Sequence, residues 1–339
     1  MRPEDAPPPR PTRLPRRRPA FGRFRLLILG VVVIGFLALV SVRGLAGFYT
    51  DYLWFDSLGH SSVFRAVFGA QVVLVLLFMA LFFTILFGNL AVAQRLAPPI
   101  RPPGPEEDLL VHYHTFVGKR ARLVRIVISA LFALIAGLGV SDKWQDWLLY
   151  TNRVDVGITD PQFGRDIGFY IFELPFLSFV VGWLFGTLIV TLVVTAISHY
   201  INGGIRLQTV GERVRPEVKA HLSVLLGAIA LVRAADYWLA RFELTTSTRG
   251  AVDGATYTDV KAQLPAIQLL ILISLLAVVL LLVNIRMQGW VLPTLAVGLW
   301  VLVALVMGSI YPAVIQNFRV EPAESEKEAP YIARNIAAT

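Results

Sequence analysis

Two carboxylates in one short stretch are the first residues whose chemistry could matter. The sequence DPQFGRDIGFYIFELPF, residues 160–176, carries Asp160 and Asp166 among phenylalanines and one tyrosine. General acid–base catalysis uses positioned carboxylates, so this stretch could belong to an active site. Clustering of these two groups with Asp142 and Asp146 around a cavity would favour a membrane enzyme acting on lipid or envelope substrates. Scattered carboxylates would not favour that hypothesis.

A second pair of charged residues lies in an otherwise apolar stretch. Arg233 and Asp236 are three residues apart, which allows contact on one helix face. An ionisable group inside a membrane span is a functional hypothesis by default. Arg233 follows Lys219 by 14 residues, about 21 Å of helix, so we expect it near the outer headgroups, where snorkelling is cheap. We interpret the pair as structural, with a proton or ion pathway as the alternative.

Other catalytic signatures do not occur in this sequence. It has no cysteine, which excludes disulfides, thiolate nucleophiles and cysteine metal sites. No HExxH motif, phosphate-binding glycine loop or GxSxG elbow occurs. His112 and His114 alternate without supporting carboxylates, and His60, His199 and His221 are interpreted as interfacial polar residues. We therefore predict no catalytic residue, no cofactor and no metal site, and expect a non-enzymatic protein.

The composition indicates what holds these residues in place. The chain is 56% hydrophobic and 16% charged, with a mean hydropathy of +0.65, whereas soluble domains carry about 25% charged residues. A span needs about 20 apolar residues and must be helical in lipid. We predict an all-α membrane protein, a bundle of about seven spans at Phe24–Gly47, Phe64–Gly88, Leu123–Val140, Pro175–His199, Ala220–Leu239, Leu264–Ile285 and Trp290–Ile310.

The placement of basic residues predicts the orientation of the bundle. With the N-terminus inside, the inner segments hold 19 of the 31 lysines and arginines, the outer segments hold 11, and Arg233 lies within span five. The positive-inside rule then gives a cytoplasmic N-terminus and an extracytoplasmic C-terminus. Residues 1–23 are expected to form a disordered basic tail, and residues 95–122 an inner loop that ends in a basic headgroup anchor. The net charge of +8 therefore does not indicate a nucleic-acid partner.

Aspartate precedes tryptophan at the outer ends of three spans. These segments are DYLWF from Asp51, DKWQDW from Asp142 and DYWLARF from Asp236. We interpret them as part of the interfacial aromatic belt. A repeated two-helix hairpin is the alternative.

The opening stretch is then predicted to be an interfacial amphipathic helix on the outer side. Asp160 can cap a helix that begins at Pro161, and Pro175 then opens span four. An amphipathic helix lying in the headgroups would aim that span and needs no chemistry from the aspartates. Its apolar stripe would comprise Phe163, Ile167, Tyr170, Ile171 and Leu174.

Four long blocks carry a family resemblance. The segments DYLWFDSLGHSSVF (51–64), DPQFGRDIGFYIFELPF (160–176), RGAVDGATYTDVKAQLPA (249–266) and YPAVIQNFRVEPAESEKEAPYIARNI (311–336) resemble the signature blocks of the uncharacterised protein family UPF0182. These are multipass cell-membrane proteins that are frequent in actinobacteria. The resemblance implies seven N-terminal spans followed by a large extracytoplasmic region, but no established activity. Residues 24–310 would be the membrane domain and residues 311–339 the start of the outer region.

Three functional hypotheses follow. The first is a membrane module that anchors an outer domain or docks envelope partners. The second is a transporter or channel, suggested by the seven spans, the alternative repeat and the Arg233–Asp236 pair. The third is the membrane enzyme described above. The expected partners are the lipid bilayer and, on the outer face, envelope proteins or lipids.

Overall fold

The structure is a computed structural model that describes residues 21–98, 120–206, 213–250 and 252–338. It divides into two units, Met1–Val67 and Phe68–Thr339. Helix dominates the described residues of both units, which confirms the predicted all-α class. Within the described residues, six helical segments are long and apolar enough to cross a membrane: Ser61–Arg95, Ala121–Leu138, Phe169–Ile201, Pro216–Thr246, Asp259–Met287 and Val291–Ala337.

The unit Met1–Val67 contains helix α1, Phe21–Ser57, and the start of helix α2, Ser61–Arg95. Gly59 joins the two helices in a left-handed conformation with φ of 73°, which glycine adopts without steric cost. The Phe64 ring packs edge-on against Phe48, with ring centroids 5.1 Å apart. The first predicted span and Asp51 lie in α1. Most side chains of residues 21–40 are outside the described set, so this span stays a prediction.

The second unit continues with α3, Ala121–Leu138, and the short α4, Trp144–Thr151. Four long helices follow, α5 at Leu174–Ile201, α6 at Pro216–Glu243, α7 at Leu264–Met287 and α8 at Val291–Leu305. The helical path then continues beyond residue 310 through α9, Tyr311–Ile315, to α10, Glu324–Ala338. The predicted tail at 311–339 is therefore helical over most of its length.

Helices α2, α3 and α5 pack through aromatic and small side chains. Phe82, Leu86 and Ala133 form a buried cluster against which Trp183 packs. Gly137 of α3 lies so close to α2 that an added Cβ would overlap Met79. Small residues allow this kind of close approach between membrane helices.

Helices α5 to α8 run antiparallel, each packed on the next. Ala277 and Leu281 of α7 pack on Ala296 of α8, and Leu226 and Ala230 of α6 complete this cluster. The apolar sequence predicts these spans, whereas the choice of neighbours follows from which faces carry the small residues.

Four π-helical turns interrupt the described helices, and each immediately precedes a residue–proline pair. They are Phe169–Glu173, Asp259–Gln263, Val306–Ile310 and Gln316–Val320. Proline has no N–H, and its ring clashes with the carbonyl four positions back. The turn widens, so that, for example, the Leu174 N–H bonds the Phe169 carbonyl five residues earlier.

The prediction that a helix begins at Pro161, with Asp160 as its cap, is wrong. Residues 161–163 form a turn, Gly164 is left-handed with φ of 65°, and helix begins only at Ile167. Thr159 and Asp166 pair in an antiparallel bridge, which holds the backbone extended on both sides of the turn. Asp160 does cap, but it caps this turn.

The second unit has two chemically different ends. The carboxylate end comprises residues 141–173, 238–263 and 311–338. The histidine end comprises residues 85–98, 196–206, 213–221 and 284–291. Helices α5 and α7 run from the carboxylate end to the histidine end, and α6 runs back.

Candidate docking face at the carboxylate end

Asp166 organises the loop before α5. Its carboxylate accepts hydrogen bonds from the backbone N–H groups of Gly168 at 2.6 Å, Gly157 at 2.8 Å and Val156 at 3.0 Å. These donors, Val156 foremost, lower the pKa of Asp166 below its ordinary value. Gly168 is required here, because a Cβ would lie 2.4 Å from the Val154 carbonyl oxygen. The side chain fixes irregular backbone that helix hydrogen bonds do not satisfy.

Asp160 has a similar role in the preceding turn. It accepts from the backbone N–H groups of Gln162 at 3.0 Å and Phe163 at 2.6 Å. The Tyr170 hydroxyl donates to the same carboxylate at 3.0 Å, which ties the turn to the following π turn. Both aspartates are therefore engaged by their own segment, and this does not favour the enzyme hypothesis.

A second block precedes α7 and is built around Thr256 and Asp259. The backbone N–H and hydroxyl of Thr256 donate to the Asp259 carboxylate at 3.1 and 2.9 Å, and the Asp259 N–H donates back to the Thr256 hydroxyl. This is a reciprocal capping box. Asp259 is fully buried, and Arg249 forms an ion pair with it at 3.4 Å.

The two blocks are structurally equivalent. In DIGFYIFELP and TYTDVKAQLP, a capping residue, Asp166 or Thr256, stands nine positions before a proline. In both, two helical residues, a five-residue π turn and a Leu-Pro pair follow in the same order. This repeat begins spans four and six, whereas our alternative repeat was built on the Asp-Trp segments. The sequence contains this repeat as the spacing between the capping residue and the Leu-Pro pair. It is hard to recognise, because the two blocks share few other residues.

Helix α10 is held against both blocks. The buried Glu328 accepts from the Tyr257 backbone N–H with both oxygens, at 3.0 and 3.2 Å. Arg334 donates to the side-chain carbonyl oxygen of Gln162 at 2.9 Å. These contacts join segments that are 71 and 172 residues apart in the sequence.

A cationic and aromatic surface lies beside these contacts. The Arg165 guanidinium lies over the rings of Phe169 at 4.8 Å and Phe242 at 5.3 Å. Arg241 lies over Phe242 at 4.5 Å and Trp238 at 4.7 Å. We name these five residues the arginine–aromatic surface. Trp238 is 39% exposed, and arginine and aromatic side chains are enriched in protein interfaces.

A polar groove also opens at this end. It has a volume of about 500 Å³ and lies between the second block and the path from α8 to α9. Its polar lining includes Arg249, Thr258, Gln263, Gln316 and Asn317. The carboxylate end thus combines a fixed backbone, a cationic surface and a concave site.

Comparison with known proteins shows to which family the chain belongs. The profile of the uncharacterised protein family UPF0182 matches residues 27–339. The chain belongs to UPF0182. A UPF0182 protein of Frankia casuarinae is 44% identical over 323 residues, and one of Streptomyces coelicolor is 36% identical over 337 residues. These matches cover 95% and 98% of this chain, but only 32% and 34% of the relatives. No solved structure matches.

The other predicted residues of this UPF0182 chain have separate positions. Arg233 and Asp236 form an ion pair at 2.5 Å, and the Arg233 guanidinium stacks on Tyr237 of α6 and Phe185 of α5. Asp142 is exposed in the turn before α4, where the Ser141 hydroxyl bonds it. The three Asp-Trp segments thus have different settings: α1, the turn before α4, and the body of α6. His112 and His114 lie outside the described residues.

The histidine end contains a network that the sequence did not predict. Asn89 donates to the Ile85 carbonyl at 2.8 Å, which turns its amide oxygen toward His221 Nε2 at 3.0 Å. His221 therefore carries its proton on Nε2 and accepts at Nδ1 from His199 Nε2 at 3.0 Å. Both histidines are buried. We had interpreted them as interfacial residues, and the tertiary structure instead joins α2, α5 and α6 through them.

A second polar contact at the histidine end joins α6 to α7. Asn284 of α7 donates to the Ser223 hydroxyl of α6 at 2.8 Å and accepts from the Gly289 N–H at 3.2 Å. The contacts between helices at this end use neutral amides, hydroxyls and imidazoles, and the Arg215 guanidinium at the start of α6 also donates to the Leu96 carbonyl just beyond α2 at 3.4 Å. They are suited to setting the register of helices.

Proposed function

We propose that this protein is a membrane-embedded platform whose carboxylate end holds an extramembrane region and docks envelope partners. The observation that carries the proposal is the attachment of α10 to both loop blocks, through Glu328 and Arg334. A helix fixed at two points has a defined direction. In the longer relatives, the chain after the corresponding helix would leave the bundle at a fixed angle.

Loss of the Glu328 contact that holds α10 tests whether the carboxylate end fixes the direction of the chain after the bundle. The chain has no cysteine, so cysteines at Asp253 and Ala333 give one defined spin-label pair. We expect a single narrow distance distribution by pulsed EPR, which broadens in Glu328→Ala. Glu326→Ala is the matched control, because Glu326 is exposed and, among the residues that the structure describes, bonds only its neighbour Lys327. A distribution that stays narrow in Glu328→Ala would remove the structural basis of the platform.

Photo-cross-linking in intact cells tests whether envelope partners dock at the carboxylate end. A benzophenone amino acid replaces Trp238 on the arginine–aromatic surface and, as control, Leu282, which is 55% exposed on the body of α7. We expect discrete adducts with envelope proteins from position 238 and none from position 282. Adducts of equal yield at both positions, or none at 238, would contradict docking at this surface.

We further propose that the carboxylate end is extracytoplasmic, from the excess of basic residues in the segments of the opposite side. An impermeant maleimide should label Asp253→Cys in intact cells and Gln94→Cys only after permeabilisation. The reverse pattern would invert the orientation and place the docking face in the cytoplasm.

The transporter hypothesis is less well supported. It rests on the seven predicted spans, the alternative repeat and the Arg233–Asp236 pair. The cavity that Arg233 lines is otherwise formed by apolar and aromatic side chains. Such a lining provides no oxygen ligands that replace the hydration shell of an ion.

A further inference from the structure

The polar groove at the carboxylate end lies where the membrane changes from hydrocarbon to headgroups. Gln263 and Arg286 are 23 residues apart on the path of α7, about 35 Å of helix, and so bracket a hydrocarbon core of about 30 Å. Gln263 therefore lies at the edge of the core. Thr258, whose hydroxyl donates to Gln316 of the other wall, lies about 7 Å further out, within the headgroup layer.

The inner end of the groove has a different lining. A Cβ at Gly308 would lie 3.8 Å from Leu270, which is about 10 Å inside the edge of the core. Pro312 and Ala313 follow on the same wall, so this part is small and apolar apart from the Ser309 hydroxyl. The groove thus changes from apolar in the core to polar in the headgroup layer, and a membrane lipid changes in the same order.

Arg249 is the cationic group of the outer part of the groove. Its side chain is 55% exposed, and Nη1 donates to the buried Asp259 at 3.4 Å. The Gln263 side chain, turned with its oxygen toward the arginine, also accepts from it. Among the residues that the structure describes, these contacts occupy at most three of the five N–H donors of the guanidinium. Two donors remain, and a bidentate contact with a phosphate uses two.

The charge of the groove favours an anion. Its walls are Arg249, residues 255–263 and residues 306–319. They carry three basic side chains, Arg249, Lys261 and Arg319, and one acidic side chain, the buried Asp259. An excess of positive charge remains when Glu328, which bonds the adjoining backbone, is counted as well. A phosphate diester carries one negative charge and lies in the headgroup layer, so it matches the groove in charge and in depth.

The rest of the outer lining discriminates among headgroups. Gln316 and Asn317 provide amides, which both donate and accept, and Thr258 provides a hydroxyl. Such groups can bond the hydroxyls of a glycerol headgroup. The described lining contains no aromatic and no acidic side chain, so it offers neither a ring face nor a counter-charge to the trimethylammonium of a choline headgroup.

We propose that the polar groove binds an anionic phospholipid with a hydroxyl-bearing headgroup, of the phosphatidylglycerol type. The phosphate pairs with the Arg249 guanidinium, and the headgroup hydroxyls bond Gln316 and Asn317. One acyl chain passes over the small inner surface at Gly308 and Ala313. The volume of about 500 Å³ is within the range of about 300–1,000 Å³ for small-molecule sites. The site goes beyond the proposed platform, because it does not depend on a docked protein.

Native mass spectrometry of the full chain in detergent tests the site. Phosphatidylglycerol and phosphatidylcholine with the same acyl chains are titrated as probes, and we expect phosphatidylglycerol to bind about tenfold more tightly. Arg249→Gln removes a charge-assisted contact and should lower the affinity for phosphatidylglycerol about tenfold. Arg153→Gln removes the same charge from an exposed position at this end, outside the groove, and should bind like the native chain.

A second variant decides the test if loss of the Arg249–Asp259 pair unfolds the protein. Ala313→Leu fills the inner part of the groove, leaves that pair intact and should abolish the preference between the two lipids. Water-soluble glycerophosphoglycerol carries the headgroup without acyl chains and should not displace the lipid at equal concentration.

Three results would overturn the proposal. They are equal binding of the two lipids, native binding by Ala313→Leu, and displacement by glycerophosphoglycerol, which would indicate a soluble phosphodiester as ligand. None of them would alter the spin-label distance to α10 or the adducts at position 238, so failure of the lipid site and failure of the platform are distinguishable.

Discussion

The two ends of the second unit are held together by different kinds of hydrogen bond. At the carboxylate end, Asp160, Asp166 and Glu328 accept hydrogen bonds from backbone N–H groups of irregular segments. At the histidine end, His199 and His221 bond each other and Asn89 between helices. The carboxylate end fixes loops and holds α10 on them. The histidine end fixes helices relative to one another.

The difference follows from where charge is tolerated. A carboxylate at the edge of a membrane can be both solvated and bonded to several N–H groups, and such charge-assisted bonds are strong. Between helices a charge is expensive, so the buried groups that join α2, α5, α6 and α7 at the histidine end are neutral, although each contributes little. We therefore expect single substitutions to be costly at the carboxylate end and mild at the histidine end.

The largest effect is expected from Asp259→Ala. The buried carboxylate accepts from Thr256 and pairs with Arg249, so its loss leaves buried donors unpaired and should lower stability by about 3 kcal/mol. Thermal unfolding in detergent measures the change. Asp253→Ala, an exposed aspartate in the same loop, is the control and should be neutral. Equal stability of the two variants would remove the contrast between the ends.

His221→Phe should have a smaller effect. It keeps an aromatic ring but breaks the bonds to His199 and Asn89. Hydrogen bonds between membrane helices contribute about 0.6 and at most about 1.7 kcal/mol, so we expect a loss of about 1.5 kcal/mol in the same assay. His60→Phe, in the exposed turn after α1, should be silent. A loss above that for Asp259→Ala would reverse the comparison.

The Asn284–Ser223 hydrogen bond allows the contribution of a single contact at the histidine end to be measured. A double-mutant cycle with Asn284→Ala and Ser223→Ala isolates their interaction. We expect a coupling free energy of about 0.6 kcal/mol. Strictly additive effects would show that this bond at 2.8 Å contributes no net stability.

The smallest effect is confined to the loop around Asp166. Its folded pKa is lowered from the ordinary value of 3.8, so its contribution is complete above that value and is lost as pH falls through the folded pKa. A spin label at Asp155→Cys should become more mobile only below about pH 4. With Asp166→Asn added, the label should be mobile at every pH. A native loop whose label does not change on acidification would contradict this role for Asp166.

Much of the fold could be predicted from the sequence. Six of the seven predicted spans coincide with helices that are long and apolar enough to cross a membrane, because a long apolar segment in lipid has few alternatives to helix. The start of the helix in residues 160–176 was not predicted, because capping preference alone does not reveal a left-handed Gly164 or the bridge from Thr159 to Asp166.

The contacts of the candidate residues were likewise predicted where they are local in sequence and missed where they are not. The ion pair of Arg233 and Asp236 was predicted from local spacing and is formed. The partners of His199 and Glu328, and the position of Trp300 beside Arg233, were not predicted, since they depend on segments distant in sequence.

The sequence by itself determined the class of protein, its long apolar helices, its family and the local cap chemistry, because these depend on composition and on residues within one or two turns. Only the tertiary structure decided that α10 bonds both loop blocks, that two histidines join three helices, and that Arg233 shares an apolar cleft with Trp300. Those contacts bring together residues from separate helices, and no local pattern encodes which helix faces meet.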